Sequence, residues 1–245
     1  MFKHVVLVFT STYRPTTRAA LSMVYDPIPF DHTYILYDPK DVISIVSVHF
    51  SLLPIYIMVF YTSWFLITRE IEPVIVVGGH LASEVLNKIV KHILKEPRPD
   101  FHKDFGKGSY GSSFGMPLAH SQFAGFFAAY FLCILFKRVP LSRLNKIIIS
   151  TLLLVIMIFV PFSRVYLWYH TIPQVSVGVL LGVVVGLAYY IATLVARDLG
   201  VIDWILLWPL IRYFSVKDSY YHAYQLFEDE YQQTQRNRGV KAKMS

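Results

Sequence analysis

Charge is scarce in this 245-residue chain. Only 16% of its residues are Asp, Glu, Lys or Arg, 55% are hydrophobic, and the mean hydropathy is +0.47. Soluble domains carry charge on about a quarter of their residues, so the deficit excludes that class. Cysteine is scarcer still: Cys133 stands alone inside an apolar run, which excludes an intramolecular disulfide framework and a cysteine-based metal site. Acidic residues are outnumbered, 16 against 23 Lys and Arg, for a net charge of +7. The basic residues do not cluster beside aromatics on a soluble face, so no nucleic-acid partner is expected; a membrane surface or a phosphate-bearing ligand fits the excess. No internal repeat and no low-complexity segment is present. A secretory signal peptide is not expected either, because Arg14 and Arg18 follow the short apolar start and no cleavage site closes it. We treat residues 1–27 as an irregular N-terminal extension.

Long apolar runs are what the chain does have. Five of them, about Val42–Thr68, Val74–Leu94, Leu118–Phe136, Ile147–Phe162 and Ile172–Ala196, approach the roughly 20 residues with which a helix crosses a bilayer. Val201–Phe214 is shorter and interrupted by Asp203, Pro209 and Arg212, which suits an interfacial or re-entrant segment. The reading is an all-α polytopic membrane bundle of about five or six helices, with one membrane domain over residues 28–220 and a polar tail over 221–245. The second span carries His80, and its Glu84, Lys88 and Lys91 share a helical face with Lys95. That face must meet protein or water. Lys137, Arg138, Arg143 and Lys146 crowd the loop between the third and fourth spans, which assigns that loop to the cytoplasm and the 95–116 and 163–171 connections to the opposite side.

Three constellations gather on that opposite side. In "KHILKEPRP", Pro97 and Pro99 push Glu96 and Arg98 toward extended backbone, so Lys91 and Arg98 aim two cations into one loop. An arginine fork with a lysine point charge suits a phosphate; a headgroup-anchoring basic cluster has the same composition. In "GMPLAHSQFAGFF", Pro117 opens a helix, so the backbone N–H groups of Leu118 and Ala119 are free to hold an anion. His120 in that turn is placed to give a proton to an oxygen leaving the anion, or is a plain interfacial residue. In "SRVYLWYHTIPQVSVG", Arg164 closes one span and His170 stands before the next, with Thr171 as N-cap and Pro173 in the first turn. Gln174, four residues on, is placed to hydrogen-bond one imidazole nitrogen and fix which nitrogen faces the anion. Tyr166, Trp168 and Tyr169 also suit an interfacial aromatic belt, and both readings hold together.

The pattern K-x6-R-P (Lys91, Arg98, Pro99), P-x-x-H (Pro117, His120) and S-R-x5-H (Ser163, Arg164, His170) resembles the three-part signature of the type 2 phosphatidic acid phosphatase superfamily, which includes vanadium haloperoxidases. "IPFDHTYILYDPKD", "SWFLITRE" and the two histidine stretches are similar to its fungal dolichyldiphosphatase branch, over roughly residues 27–220. The resemblance implies a metal-independent, cofactor-free hydrolysis of a polyprenyl (dolichyl) diphosphate lipid at the lumenal face of the endoplasmic reticulum. His170 would be the nucleophile, forming a phosphohistidine, and His120 the general acid and base. Lys91, Arg98 and Arg164 would hold phosphate oxygens, with a hydroxyl from Ser163. The product, dolichyl phosphate, would be recycled as a carrier lipid for protein glycosylation.

Two positions depart from the superfamily pattern. Gln174 stands where the wider superfamily has Asp; the resemblance implies that dolichyldiphosphatases share this glutamine, and a neutral amide gives an imidazolium less charge stabilisation. Leu118 stands where the family has a serine whose hydroxyl donates to the phosphate; loss of one such donor costs about 3 kcal/mol, or about a hundredfold in rate. Yeasts that read CUG as serine would give such a leucine under standard-code translation, and peptide mass spectrometry of native protein tests this. Competing expectations are a phosphatase of phosphatidate or sphingoid phosphates, and a catalytically impaired lipid-binding membrane protein. No obligate protein partner is inferred. A transporter fits less well, since the polar residues gather at one face and not at the midplane.

Overall fold

The computed structural model describes residues 28–30, 35–97, 114–221 and 231–237. Arg98, most of the loop that contains it, residues 1–27 and most of the tail therefore lie outside the described residues. A short antiparallel hairpin, β1 (Ile28–Phe30) and β2 (Ile35–Tyr37), precedes the helices, with Pro29 opposite Leu36. Five long helices follow: α1 (Val42–Thr68), α2 (Glu72–Leu94), α3 (Ala119–Lys137), α4 (Arg143–Tyr166) and α5 (Ile172–Asp198). All five are long and apolar enough to cross a membrane. Two short helices, α6 (Val201–Leu206) and α7 (Pro209–Tyr213), occupy the segment expected to be interfacial.

The helix ends follow from local chemistry. Asp41 caps α1 by accepting the Ile43 N–H at 3.0 Å. Ser142 caps α4 through the Asn145 N–H at 3.3 Å. Helix α4 runs one turn or so beyond the expected 147–162 at each end, because its ends are polar and hydropathy does not register them. Ser163 and Arg164 are thus helical, in the last turn of α4.

Helix α3 is the most enclosed of the five, and α5 lies directly against it. Gly178, Gly182 and Gly186 make this approach possible. A Cβ at Gly182 would stand 2.1 Å from the Gln122 carbonyl oxygen, and one at Gly178 would stand 2.7 Å from that of Leu118. Small residues at every fourth position let two helix backbones meet, which is how membrane helices pack when lipid offers no hydrophobic drive. Ile57, Tyr61, Val76, Phe126, Tyr130 and Tyr190 fill the interior around this contact. Outward positions such as Ile67 (81% exposed) and Leu180 (66% exposed) are apolar and face the lipid side.

The two ends of the bundle differ. At one end Arg197 is buried and paired with Glu72 and Asp218, the latter at 2.9 Å. Its guanidinium also lies 4.0 Å from the Tyr220 ring centroid. Lys217 exchanges backbone hydrogen bonds with Arg69 and Ile71, both 2.9 Å, so residues 217–220 are tied to the bundle and not free of it. The other end carries the candidate site.

Candidate functional site

Four helix ends converge here: the C-termini of α2 and α4 and the N-termini of α3 and α5. The turn from α4 to α5 is folded on one carbonyl. The N–H groups of Tyr169 and His170 both donate to the Arg164 oxygen, at 3.0 and 3.2 Å, and Trp168 takes a left-handed φ of 63° to allow it. The backbone thereby sets His170 beside Arg164. The Arg164 guanidinium is buried over the Tyr169 ring, 4.1 Å from its centroid, a contact that orients the cation. Tyr169 is held in turn by accepting the Leu36 N–H at 2.9 Å, which ties the hairpin to the site. Burial raises the Tyr169 phenol above its usual range, against the opposing Leu36 hydrogen bond and Arg164 charge, so its proton stays on.

His170 is buried, with Nδ1 3.0 Å from Gln174 Oε1. Which atom donates can be decided from the rest of the amide. Gln174 Oε1 also accepts the Thr171 N–H at 3.3 Å, and Nε2 donates to the Pro97 carbonyl at 2.9 Å. A backbone N–H only donates and a carbonyl only accepts, so the amide cannot be flipped. Its oxygen faces the imidazole, and Nδ1 must therefore carry the proton. Neutral His170 then keeps its lone pair on Nε2. Gly115 leaves room for this amide: a Cβ there would stand 2.6 Å from Gln174 Nε2.

Lys91 sits half-buried in the last turn of α2, and Lys95 ends that helix with a φ of 50°. The chain then meets its own return, the Gly115 N–H donating to the Glu96 carbonyl at 2.6 Å. His120 is the second residue of α3, half-buried at the same end of the bundle as His170. A cavity of about 190 Å³ lies between α2 and α3, lined by His80, Ser83, Glu84, Gln122, Phe123 and by Ala119, the residue before His120. His80 itself is a packing residue: its ring stacks on Phe123 at 3.9 Å and contacts the Tyr61 hydroxyl at 3.3 Å.

Two expected donors have hydrogen-bond partners within the protein. The Leu118 N–H donates to the Gln174 carbonyl at 3.3 Å, because α5 approaches through Gly178, so this amide joins two helices. Ala119 is first in the helix, and among the described residues its N–H has no hydrogen-bond partner, as is usual for that position. Ser163 is fully buried and donates its hydroxyl proton to the Val160 carbonyl at 2.7 Å, with Ser51 Oγ 2.9 Å away. Its single proton is spent inside the helix wall.

The sequence reading passed over three residues that shape the site. Asn87 Nδ2 donates to Gln122 Oε1 at 2.5 Å and to the Pro117 carbonyl at 3.3 Å, while Gln122 Nε2 donates to Ser83. Both side chains are buried. A polar amide inside an apolar helix was the available signal. The third, Glu96, accepts from Gln174 Nε2 at 3.2 Å.

A membrane bundle with histidines and cations gathered at four helix ends defines a class. Residues 72–198 match the PAP2 superfamily, and the chain belongs to that family. It is similar to a dolichyldiphosphatase of Saccharomyces cerevisiae, 43% identical over 89% of this chain and 92% of that protein. It is also similar to dolichyldiphosphatase 1 of Homo sapiens, 29% identical over 78% of this chain and 82% of that protein. The fold is shared with a transmembrane PAP2-type phosphatidylglycerolphosphate phosphatase from Bacillus subtilis, with a TM-score of 0.51, 20% identity, and coverage of 77% and 90% of the two chains.

Proposed function

We propose that this protein hydrolyses dolichyl diphosphate to dolichyl phosphate and phosphate at the lumenal face of the endoplasmic reticulum, returning the carrier lipid for protein N-glycosylation. The observation that carries the reading is the fixed amide of Gln174, which holds the Nδ1 proton of His170 and leaves Nε2 as a nucleophile. In the first step Nε2 attacks the terminal phosphorus. The N–P bond forms as the bridging P–O bond breaks, and His120 gives its proton to the leaving lipid phosphate. In the second step His120 takes a proton from water, whose oxygen attacks phosphorus and releases inorganic phosphate from His170. Lys91, Arg98 and Arg164 neutralise the phosphoryl oxygens, where charge gathers during transfer. The Ala119 N–H at the start of α3 adds a backbone donor. The similarity to the yeast enzyme supports the choice of lipid.

Phosphate release from dolichyl diphosphate by purified protein in detergent and EDTA tests this, with His170→Ala as control. Release that vanishes in the control is the expected result. Release from phosphatidate alone moves the protein to another lipid phosphate, and release from neither leaves a lipid-binding protein.

A further inference from the structure

Gln174 raises a question of charge. An amide can orient an imidazole, but it offers no negative charge to the imidazolium character that develops when His170 bears a phosphoryl group. The carboxylate next in line is Glu96. Gln174 uses every hydrogen-bonding position it has: Oε1 takes the His170 Nδ1 proton and the Thr171 N–H, and Nε2 gives one proton to the Pro97 carbonyl and the other to Glu96 Oε1. The path from imidazole to carboxylate is thus two hydrogen bonds, 3.0 and 3.2 Å, joined by one conjugated amide. Electron density drawn toward Oε1 by His170 is matched by N–H polarisation toward Glu96, as in any hydrogen-bonded chain. The backbone holds Glu96 in register, since its own carbonyl accepts the Gly115 N–H and its neighbour Pro97 accepts from the same amide.

We propose that Glu96 is a positioning residue for His170, supplying through the Gln174 amide the negative charge that Gln174 itself lacks. The carboxylate is moved one residue back from the imidazole and onto the α2–α3 loop, so nucleophile and phosphate-binding loop are coupled. This inference rests on the phosphohistidine reading above. It assigns to Glu96 a role distinct from the cations that flank it, because Glu96 acts on His170 through Gln174.

The test is a charge exchange across one hydrogen bond, read as kcat and KM for dolichyl diphosphate and as the amount of trapped phosphoenzyme. Glu96→Gln keeps shape and an acceptor oxygen but removes the charge. It should lower kcat by roughly 10- to 100-fold, the size of the loss when an outer partner of a metal-bound histidine is removed, with KM nearly unchanged. Gln174→Glu sets two carboxylates against each other and should be less active than wild type. The double variant Glu96→Gln/Gln174→Glu restores one charge and one donor between them and should be more active than Gln174→Glu alone; relief of the carboxylate contact contributes to that rescue, so the readout that separates a charge role from a structural one is the loss of kcat and of trapped phosphoenzyme at unchanged KM in Glu96→Gln. Wild-type kcat in Glu96→Gln, or singles whose effects simply multiply in the double, overturns the inference while leaving the phosphatase reading intact. Wild-type protein without phosphate release overturns the phosphatase reading itself.

Discussion

Asn87 and Gln122 face each other across the α2–α3 interface, amide nitrogen to amide oxygen at 2.5 Å, both buried. The pair does more than satisfy itself. Asn87 also holds the Pro117 carbonyl, three residues before His120, so it anchors the start of α3 to α2 and with it the position of the proposed acid.

Asn87→Leu removes both donors and strands two buried acceptors, the Gln122 and Pro117 oxygens. An unsatisfied buried polar group costs about 1–3 kcal/mol, and thermal unfolding in detergent should show a loss of that size. The kcat for dolichyl diphosphate should fall as well, because Pro117 loses its tether. A variant with wild-type kcat would remove Asn87 from any part in placing His120.

The glycine stripe of α5 gives a sharper contrast. Gly182→Val places a side chain on the Gln122 carbonyl, 2.1 Å from an unshifted Cβ, and backbone cannot step aside as a flexible side chain does. Overpacking of this kind costs about 1–3 kcal/mol or more. Leu180, two residues away, is 66% exposed to the lipid side. Leu180→Ala should change the unfolding temperature little, since surface positions shift stability by about 0.5 kcal/mol or less. Equal effects would show that α3 and α5 are not in backbone contact.

These contacts mark how far sequence alone reaches. The limits of α1 were legible to the residue, because an apolar run bounded by Asp41 and Arg69 leaves nothing to interpret. The His170–Gln174 bond was legible too, since four residues is one helical turn from the N-cap region. The spacing of Gly178, Gly182 and Gly186 was visible, but which helix it meets depends on packing. The partners of Ser163 and Leu118 were not legible for a related reason: the Val160 and Gln174 carbonyls that accept their protons come within reach only when α4 is lengthened and α5 is docked. Glu96 was read merely as part of a proline-stiffened loop, because its partner is 78 positions away.

The far end of the bundle should be intolerant of a single charge deletion. Arg197 is buried between Glu72 and Asp218, and Tyr130 also donates to Glu72 at 2.6 Å. Arg197→Met leaves two enclosed carboxylates without their cation. Breaking a buried pair by removing one partner costs about 3–5 kcal/mol, so the unfolding temperature should fall more than in Asn87→Leu, and residues 217–220 should become accessible to protease. A loss below about 1 kcal/mol, the range of exposed pairs, would mean that water already reaches these carboxylates.

Leu118 sets two effects against each other. It is the N-cap of α3, with φ −76° and ψ 122°, yet its side chain accepts no hydrogen bond, and it is only 3% exposed. Leu118→Ser supplies the missing cap, worth about 1 kcal/mol, but gives up a buried aliphatic side chain worth about 1.5–3 kcal/mol. Stability should therefore stay level or fall slightly. Activity should move the other way. A serine oxygen that accepts a first-turn N–H still has its own proton to donate, and one added donor to the transferring phosphoryl group is worth about a hundredfold in kcat. Leu118→Ala separates the two: it loses the same burial, adds no hydroxyl, and should be less stable without any gain in rate. Comparable kcat in the serine and alanine variants would show that room near Pro117, and not a hydroxyl donor, is what position 118 controls.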